Sequence, residues 1–239
     1  MKQVFIVKEG NPTLLLFFAG WGADESPFKD DCPPEMDYMI CYDYRNMDFD
    51  ASLLNNYTSM HIAGWSMGVW AAMYTFGKLY QEQVKLPACL SSTAINGTPF
   101  PVDDEYGIPK EIYHGTINGL SGASLNKFLR RMCGSAKAYK EFLAVTPHRP
   151  LEELCEELIA IEQTAAHPNR YGIAWDVAVI GEDDRIIPAV NQQRAWAKVK
   201  KETPQLSGTY KVLPNTPHYR KELLSPSSFL CRSLRQPLA

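Results

Sequence analysis

The chain has 239 residues, of which 45% are hydrophobic and 21% are charged. This balance is typical of a globular protein and excludes a disordered or fibrous one. The net charge of −3 excludes the strongly basic surface that general binding to nucleic acid requires. A chain of this length buries a sizeable core without disulfides or metals, so we expect residues 1–239 to form a single domain.

The six cysteines are widely scattered. They form neither a C-x-x-C pair nor a cysteine–histidine cluster with the spacing of a zinc site, and we predict neither a metal nor a cofactor. The first apolar run, Val4–Val7, is too short for a signal peptide, and no run approaches the ~18–20 residues of a membrane span. We therefore expect a cytoplasmic protein with no membrane contact.

Short apolar runs bounded by turn residues alternate along the chain with longer helical patterns, which is typical of an α/β sheet. The run Thr13–Ala19 is almost wholly apolar, as expected of a strand that is buried on both faces. The predicted strands are, in chain order, Val4–Val7, Thr13–Ala19, Tyr38–Tyr42, His61–Trp65, Ala88–Ser91, Trp175–Ile180 and Thr209–Leu213.

Residues 96–170 interrupt this alternation with helical patterns. Apolar residues recur near helical spacing over Leu125–Leu143, where Gly134 is a potential break. Over Leu151–Ile159 an apolar stripe lies opposite a run of glutamates: Glu152, Glu153, Glu156 and Glu157. We interpret residues 96–170 as a helical cap inserted over the edge of the sheet, and ordinary crossover helices are the alternative.

The strongest chemical signal is the pattern G-x-S-x-G at Gly64–Gly68, which follows a predicted strand and precedes a helix rich in Ala and Met. In such a turn the serine sits on strained backbone, and side chains two positions away would collide with neighbouring backbone. The turn also places the serine at a helix N-terminus, where the dipole favours negative charge. Ser66 is therefore the candidate nucleophile, and a serine that merely caps the helix is the alternative.

A serine needs a base to take its proton and a carboxylate to orient that base, and this fold supplies them in the order Ser, Asp, His. Acids follow the predicted strand that ends near Ile180, and three of them compete: Glu182, Asp183 and Asp184. We prefer Asp184, because the run from Asp184 to Pro188 resembles the D-x-x-x-P segment around the acid of many α/β-hydrolases. Asp183 remains open.

The predicted base is His218, since it follows the last strand, where that order requires it. His61 lies within a strand and is expected to serve structure, and three further histidines fall in the predicted cap: His114, His148 and His167. Two backbone amides should face the oxyanion. One is the N–H of Met67, and the other is the N–H of Trp21 in the loop after the second strand.

The motifs F-F-A-G-W-G (Phe17–Gly22), C-Y-D-Y-R (Cys41–Arg45), G-W-S-M-G (Gly64–Gly68) and N-x-x-P-H (Asn215–His218) resemble those of the BioG family. The elbow also looks like that of the related BioH esterases. The resemblance implies a pimeloyl-acyl-carrier-protein methyl ester esterase of biotin synthesis, with Ser66, Asp184 and His218 as catalytic residues. We predict an α/β-hydrolase fold, with a mostly parallel central sheet, flanking helices and a helical cap inserted after the sixth strand.

The partner implied by the resemblance is acyl carrier protein, which is acidic and should meet basic residues near the pocket. The candidate docking residues lie in the predicted cap: Lys127, Arg130, Arg131 and Lys137. A solvated helix face is the alternative use of such charges. Competing functions are a general carboxylesterase, a thioesterase, an acyltransferase, or an inactive hydrolase fold that serves as a binding module. Ser66 excludes a haloalkane dehalogenase, which needs an acid at that position.

Overall fold

The computed structural model describes residues 1–166, 172–204 and 207–230. Their strands are β1 (Lys2–Val7), β2 (Thr13–Phe18), β3 (Asp37–Tyr42), β4 (Ser59–Trp65), β5 (Ala88–Ile95), β6 (Trp175–Gly181) and β7 (Ser207–Leu213). Their α-helices are α1 (Met67–Gln81), α2 (Lys110–Asn118), α3 (Gly122–Cys133), α4 (Ala136–Leu143), α5 (Leu151–Ala165), α6 (Ala189–Glu202) and α7 (Pro226–Phe229). Short 3₁₀ helices also cover Ala51–Leu54 and Lys221–Leu224.

The strands form one sheet in the order β1-β3-β2-β4-β5-β6-β7. Only β1 runs antiparallel to its neighbour, and the other pairs are parallel. Strands β2 and β3 are buried along nearly their whole length, as parallel strands covered by helices on both faces must be. The predicted mostly parallel α/β sheet is confirmed, and each predicted strand overlaps an observed one.

One detail of the predicted topology is wrong. Helices α2 to α5 follow the fifth strand of the chain, not the sixth. The chain leaves β5 at Ile95 and returns to the sheet at Trp175, so that β6 pairs directly beside β5. No additional strand is needed between them, because β6 supplies the parallel partner of β5.

Among the described helices between β5 and β6, α3 has clear start and end signals. Helix α3 starts at a capping box formed by Ser121 and Ser124 and ends at Gly134, whose φ of 71° is the left-handed cap that favours glycine. The potential break at Gly134 is thus confirmed. The end of the predicted cap, including His167, lies outside the described residues. In the part of the chain that is described, no helix has the length and apolar character needed to cross a membrane.

The sheet brings four chain segments to one edge. Since β2, β4, β6 and β7 are mutually parallel, the loops at their carboxyl ends meet there. These loops carry Trp21, Ser66, Asp184 and His218, which are far apart in sequence.

Candidate active site

Ser66 sits in a strained turn between β4 and α1, with φ 57° and ψ −125°. Positive φ is uncommon for a residue with a side chain. A Cβ at Gly68 would lie 2.0 Å from the carbonyl oxygen of Phe18, and one at Gly64 would lie 3.0 Å from Cα of Val69. Gly68 therefore requires glycine, because the turn is pressed against neighbouring backbone, and Gly64 leaves little room for a larger residue. Although Ser66 occupies the N-cap position of α1, its side chain makes no capping hydrogen bond.

The hydroxyl of Ser66 instead faces the imidazole of His218. The Oγ atom lies 2.9 Å from Nε2, and Nδ1 of the same ring lies 2.8 Å from Oδ2 of Asp184. All three residues are buried, with exposed fractions of 6%, 2% and 6% in the order Ser66, His218 and Asp184. This is the geometry in which an imidazole can accept a serine proton while a carboxylate holds the opposite nitrogen.

The carboxylate of Asp184 is held at both oxygens. Oδ1 accepts from the backbone N–H groups of Ile186 and Ile187 at 2.8 and 3.0 Å. Oδ2 accepts from Nε2 of Gln192 at 2.7 Å in addition to its contact with His218. Asp183 is exposed and borders a different surface cleft. The structure therefore places Asp184, and not Asp183, against the histidine.

Two side chains that the sequence reasoning did not single out hold the loop of His218, and a third holds Asp184. Nδ2 of Asn96 donates to the carbonyl oxygens of Pro217 and His218 at 3.1 and 2.8 Å, and its Oδ1 accepts from the N–H of Gly181 at 2.6 Å. Nε1 of Trp65 donates to the carbonyl of His218 at 3.0 Å. Gln192 is the third, through its contact with Asp184. The contacts of Asn96 and Trp65 join residues 85 or more positions apart, so no local sequence pattern indicates them.

The two predicted oxyanion amides flank the serine. Met67 begins α1 directly after Ser66. Trp21 lies in a turn closed by a hydrogen bond from the N–H of Ala23 to the carbonyl of Gly20 at 3.3 Å. This turn touches the serine, because a Cβ at Gly20 would lie 3.2 Å from Cβ of Ser66. Within the described residues, the N–H groups of Trp21 and Met67 donate to no protein acceptor.

A largely apolar cleft opens onto these groups. Its floor includes Ser66 and His218, and its walls come mainly from helices α2, α3 and α5. The wall residues on those helices are Ile112, Tyr113, Thr116, Phe128, Arg131, Met132 and Leu158. Among the described residues, no group of three or more His, Cys, Asp or Glu side chains could hold a metal ion. The cleft is suited to a small apolar group.

The remaining predicted residues lie on the surface of the inserted helices. Lys127, Arg130 and Arg131 lie on α3, and Lys137 lies on α4; all four are exposed. Arg131 alone among them also lines the cleft at Ser66. The other candidate histidines lie elsewhere: His61 contacts Ser91, His114 pairs with Glu162, and His148 is exposed.

One buried charged cluster had no counterpart in the sequence reasoning. Glu157, assigned to the polar face of its helix, is instead fully buried and pairs with Arg149 at 2.6 Å. Arg149 also lies 3.0 Å from Asp43, which Arg45 holds through two hydrogen bonds of 2.8 Å. Burial by itself would raise the pKa of Asp43, but Arg45 and Arg149 outweigh it and lower that pKa to about 2. The only sequence signal for this cluster was the D-Y-R motif at Asp43–Arg45.

The sheet, the turn at Ser66 and the cleft define an α/β-hydrolase with the architecture of esterases and thioesterases. A lipase-esterase related protein from Clostridium acetobutylicum has this fold, with a TM-score of 0.61 and 15% identity over 95% of this chain and 94% of that one. The crystal structure of BioG from Haemophilus influenzae is more similar, with a TM-score of 0.79 and 31% identity over 96% of this chain and 99% of that one.

The family is shown by the sequence as well. Residues 1–221 match the family model described as "Pimeloyl-ACP methyl esterase BioG". This chain therefore belongs to the BioG family and has the fold of carboxylic ester hydrolases. A relative from Bacteroides fragilis, named malonyl-[acyl-carrier protein] O-methyltransferase, is 46% identical over 217 residues. That match covers 90% of this chain but only 42% of the relative, so the chain spans about two fifths of that protein.

Proposed function

We propose that this protein hydrolyses the methyl ester of pimeloyl-acyl carrier protein to free pimeloyl-acyl carrier protein and methanol. Ser66 is the nucleophile, His218 the general base and Asp184 the acid that orients it. The observation that carries the proposal is the buried relay from Ser66 through His218 to Asp184, with contacts of 2.9 and 2.8 Å. A metal or cofactor is not required, since these residues supply every proton transfer.

In the first half-reaction His218 takes the hydroxyl proton of Ser66 as Oγ bonds to the ester carbonyl carbon. The carbonyl electron pair moves onto oxygen, where the N–H groups of Trp21 and Met67 stabilise the negative charge. Collapse of this intermediate breaks the bond to the methoxy group, which leaves as methanol with the proton from His218. Water then attacks the acyl-enzyme with His218 again as base, and Ser66 regains its proton as the carboxylic acid departs.

The apolar cleft supports a substrate with a methylene chain. Its walls combine aliphatic and aromatic side chains, such as Ile112, Phe128 and Leu158, with few polar groups. The pimeloyl ester is taken from the description of the family. The name of the Bacteroides relative describes an enzyme that places a methyl group on a carboxylate carried by acyl carrier protein. An esterase of this family would remove such a methyl group.

The exposed basic side chains on α3 and α4 support acyl carrier protein as the partner, because an acidic carrier is attracted to them. We propose Lys127, Arg130, Arg131 and Lys137 as the docking surface, and Arg131 connects it to the cleft. We also propose that residues 1–239 form one domain and that residues 96–170 form its cap. A carrier protein partner from fatty-acid synthesis would place the enzyme in the cytoplasm.

The first experiment is hydrolysis of a short p-nitrophenyl ester by the purified protein and by Ser66→Ala. The wild-type protein should hydrolyse the ester, and the variant should keep at most about 10⁻³ of the wild-type activity. Full activity of the folded variant would remove Ser66 from the mechanism.

The second experiment supplies methyl pimeloyl-acyl carrier protein and follows methanol and the mass of the carrier-bound acyl group. The expected product is 14 Da lighter, roughly one CH₂, with the thioester intact. A carrier that loses its whole acyl group would identify a thioesterase. Turnover of small esters without turnover of the carrier-bound ester would identify a general esterase.

Docking is tested by charge reversal at Lys127 and Arg130, which lie outside the cleft. Lys127→Glu with Arg130→Glu should raise KM for the carrier-bound ester by about tenfold or more and leave small esters unchanged. Lys85→Glu is the matched control, because this exposed lysine lies before β5, at the opposite edge of the sheet. An equal effect in both proteins would refute this docking surface.

A further inference from the structure

The turn that carries the N–H of Trp21 is tied to helix α5. Nε1 of Trp21 donates to the carbonyl of Leu154 at 2.8 Å, and the N–H of Gly22 donates to Oε2 of Glu157 at 3.2 Å. These contacts join positions 133 and 135 residues apart. The turn is therefore positioned by an inserted helix as well as by the strand that leads into it.

Glu157 is surrounded by donors. Besides Gly22, its Oε1 accepts from the N–H of Tyr44 at 2.9 Å, and its Oε2 accepts from Nη1 of Arg149 at 2.6 Å. Burial raises the pKa of Glu157, while Arg149 and the two amides act in the opposite direction. The side chain has no exposed surface, so these three donors replace water as its partners.

Arg149 and the D-Y-R segment complete the support. Arg149 is itself buried and bridges Glu157 to Asp43. Asp43 is held in turn by the bidentate guanidinium of Arg45, which also reaches Glu153 and Glu156 on α5. Tyr44 adds a hydrogen bond from its hydroxyl to the carbonyl of Ala19, the residue just before the turn. The loop after β3 and helix α5 thus contact the Trp21 turn from two sides.

We propose that Glu157 is a positioning residue for ester hydrolysis: together with the carbonyl of Leu154, it fixes the Trp21 turn so that the Trp21 N–H points at the oxyanion. This role rests on the proposed function. Glu157 does not touch the reacting atoms. It acts through Gly22, the residue next to the oxyanion donor in the chain.

The physical reason is the geometric demand of charge stabilisation. An oxyanion donor works when it is held about 2.7–3.1 Å from the site where charge develops, and loss of one donor costs about 10²–10³ in kcat. The turn has positive φ at Gly22 (73°) and is closed by a long hydrogen bond of 3.3 Å. Such a turn gains rigidity from external contacts, and α5 supplies them.

The test uses two substitutions that perturb Glu157 differently. Glu157→Gln keeps the length of the side chain but removes its charge. Glu157→Asp keeps the charge against Arg149 but withdraws the carboxylate by about 1.5 Å, one carbon–carbon bond. The matched control is Glu152→Gln, since Glu152 lies on the same helix, is exposed, and lies outside the ion pairs described above.

The readouts are kcat and KM for a p-nitrophenyl ester and inhibition by a boronic acid that mimics the tetrahedral intermediate. In the folded variants, kcat should fall about tenfold or more with KM changed less than about twofold, and the boronic acid should weaken in parallel. The control should match the wild type. Wild-type kcat and boronic acid inhibition in both folded Glu157 variants would overturn the proposal.

If neither Glu157 variant folds, Trp21→Phe tests the second tether. It removes the indole hydrogen bond to Leu154 but keeps an aromatic ring and the backbone N–H. A lower kcat with weaker boronic acid inhibition is expected, and unchanged values would overturn the proposal. A wild-type protein that hydrolyses no ester would refute the proposed function instead, so the two failures are distinguishable.

Discussion

The replacement Asp184→Asn perturbs the relay with almost no change in volume. In the native protein Oδ1 accepts from Ile186 and Ile187, and Oδ2 accepts from His218 and Gln192. An asparagine that keeps its oxygen toward the two backbone amides must turn its NH₂ group toward His218. That group donates to Nδ1, so the ring proton moves to Nε2, which faces the hydroxyl of Ser66. The histidine then cannot accept the serine proton.

The expected loss follows from that tautomer. A wrongly protonated imidazole in a serine hydrolase lowers kcat by about 10⁴, which corresponds to about 5.4 kcal/mol of transition-state stabilisation at 1.36 kcal/mol per decade. The free energy of unfolding should fall less, by about 1–3 kcal/mol, because an NH₂ group replaces the oxygen that accepts from Gln192 and two donors then face each other. The assay is p-nitrophenyl ester hydrolysis at saturating substrate, with urea unfolding as the check on folding.

The matched control is Asp183→Asn, which lies one residue away, is exposed, and keeps its backbone hydrogen bond to Thr216. It should retain wild-type kcat. The reasoning is refuted if folded Asp184→Asn keeps more than about a tenth of the native kcat, or if Asp183→Asn loses as much as Asp184→Asn.

Two further predictions concern stability. Gly68→Ala should lower the free energy of unfolding in urea by about 3 kcal/mol or more, because the added Cβ would lie 2.0 Å from a carbonyl oxygen. The control Gly115→Ala, in open space on α2, should raise the free energy of unfolding by about 0.5–1 kcal/mol. Equal effects of the two substitutions would show that no collision occurs at Gly68. Burial would raise the pKa of Asp37, but hydrogen bonds from Tyr57, Glu9 and Asn11 lower it from 3.8 to about 2. This carboxylate therefore stabilises the fold above about pH 4 and loses that contribution as pH falls toward 2. Unfolding at pH 7, 4 and 3 should show Asp37→Asn less stable at pH 7 and flatter below pH 4, and a parallel pH dependence would argue against the assignment.

Much of the fold was readable in the sequence because its signals are local. A strand buried on both faces, such as Thr13–Phe18, is a continuous apolar run, and a helix end such as Gly134 is a single glycine. The turn at Ser66 is equally local, since the glycines that it needs lie two residues away on either side. The place of His218 after the last strand follows from chain order, which the fold requires.

The choice between Asp183 and Asp184 was not local. Both acids follow the same strand, and only the turn closed by the N–H groups of Ile186 and Ile187 directs one of them to the histidine. Likewise, the cap was expected one strand too late, because the partner of β5 comes from chain beyond the inserted helices.

The burial of Glu157 is a second feature that no local sequence pattern predicts. Its spacing on α5 places it among glutamates that a helical pattern assigns to solvent, and Glu156 beside it is exposed as expected. The sequence by itself determined the strands, the nucleophile turn and the order of the candidate catalytic groups, since these depend on neighbours along the chain. Only the tertiary structure decided that Glu157 is buried, because the donors that make its burial tolerable, Gly22 and Tyr44, come from loops more than a hundred residues away.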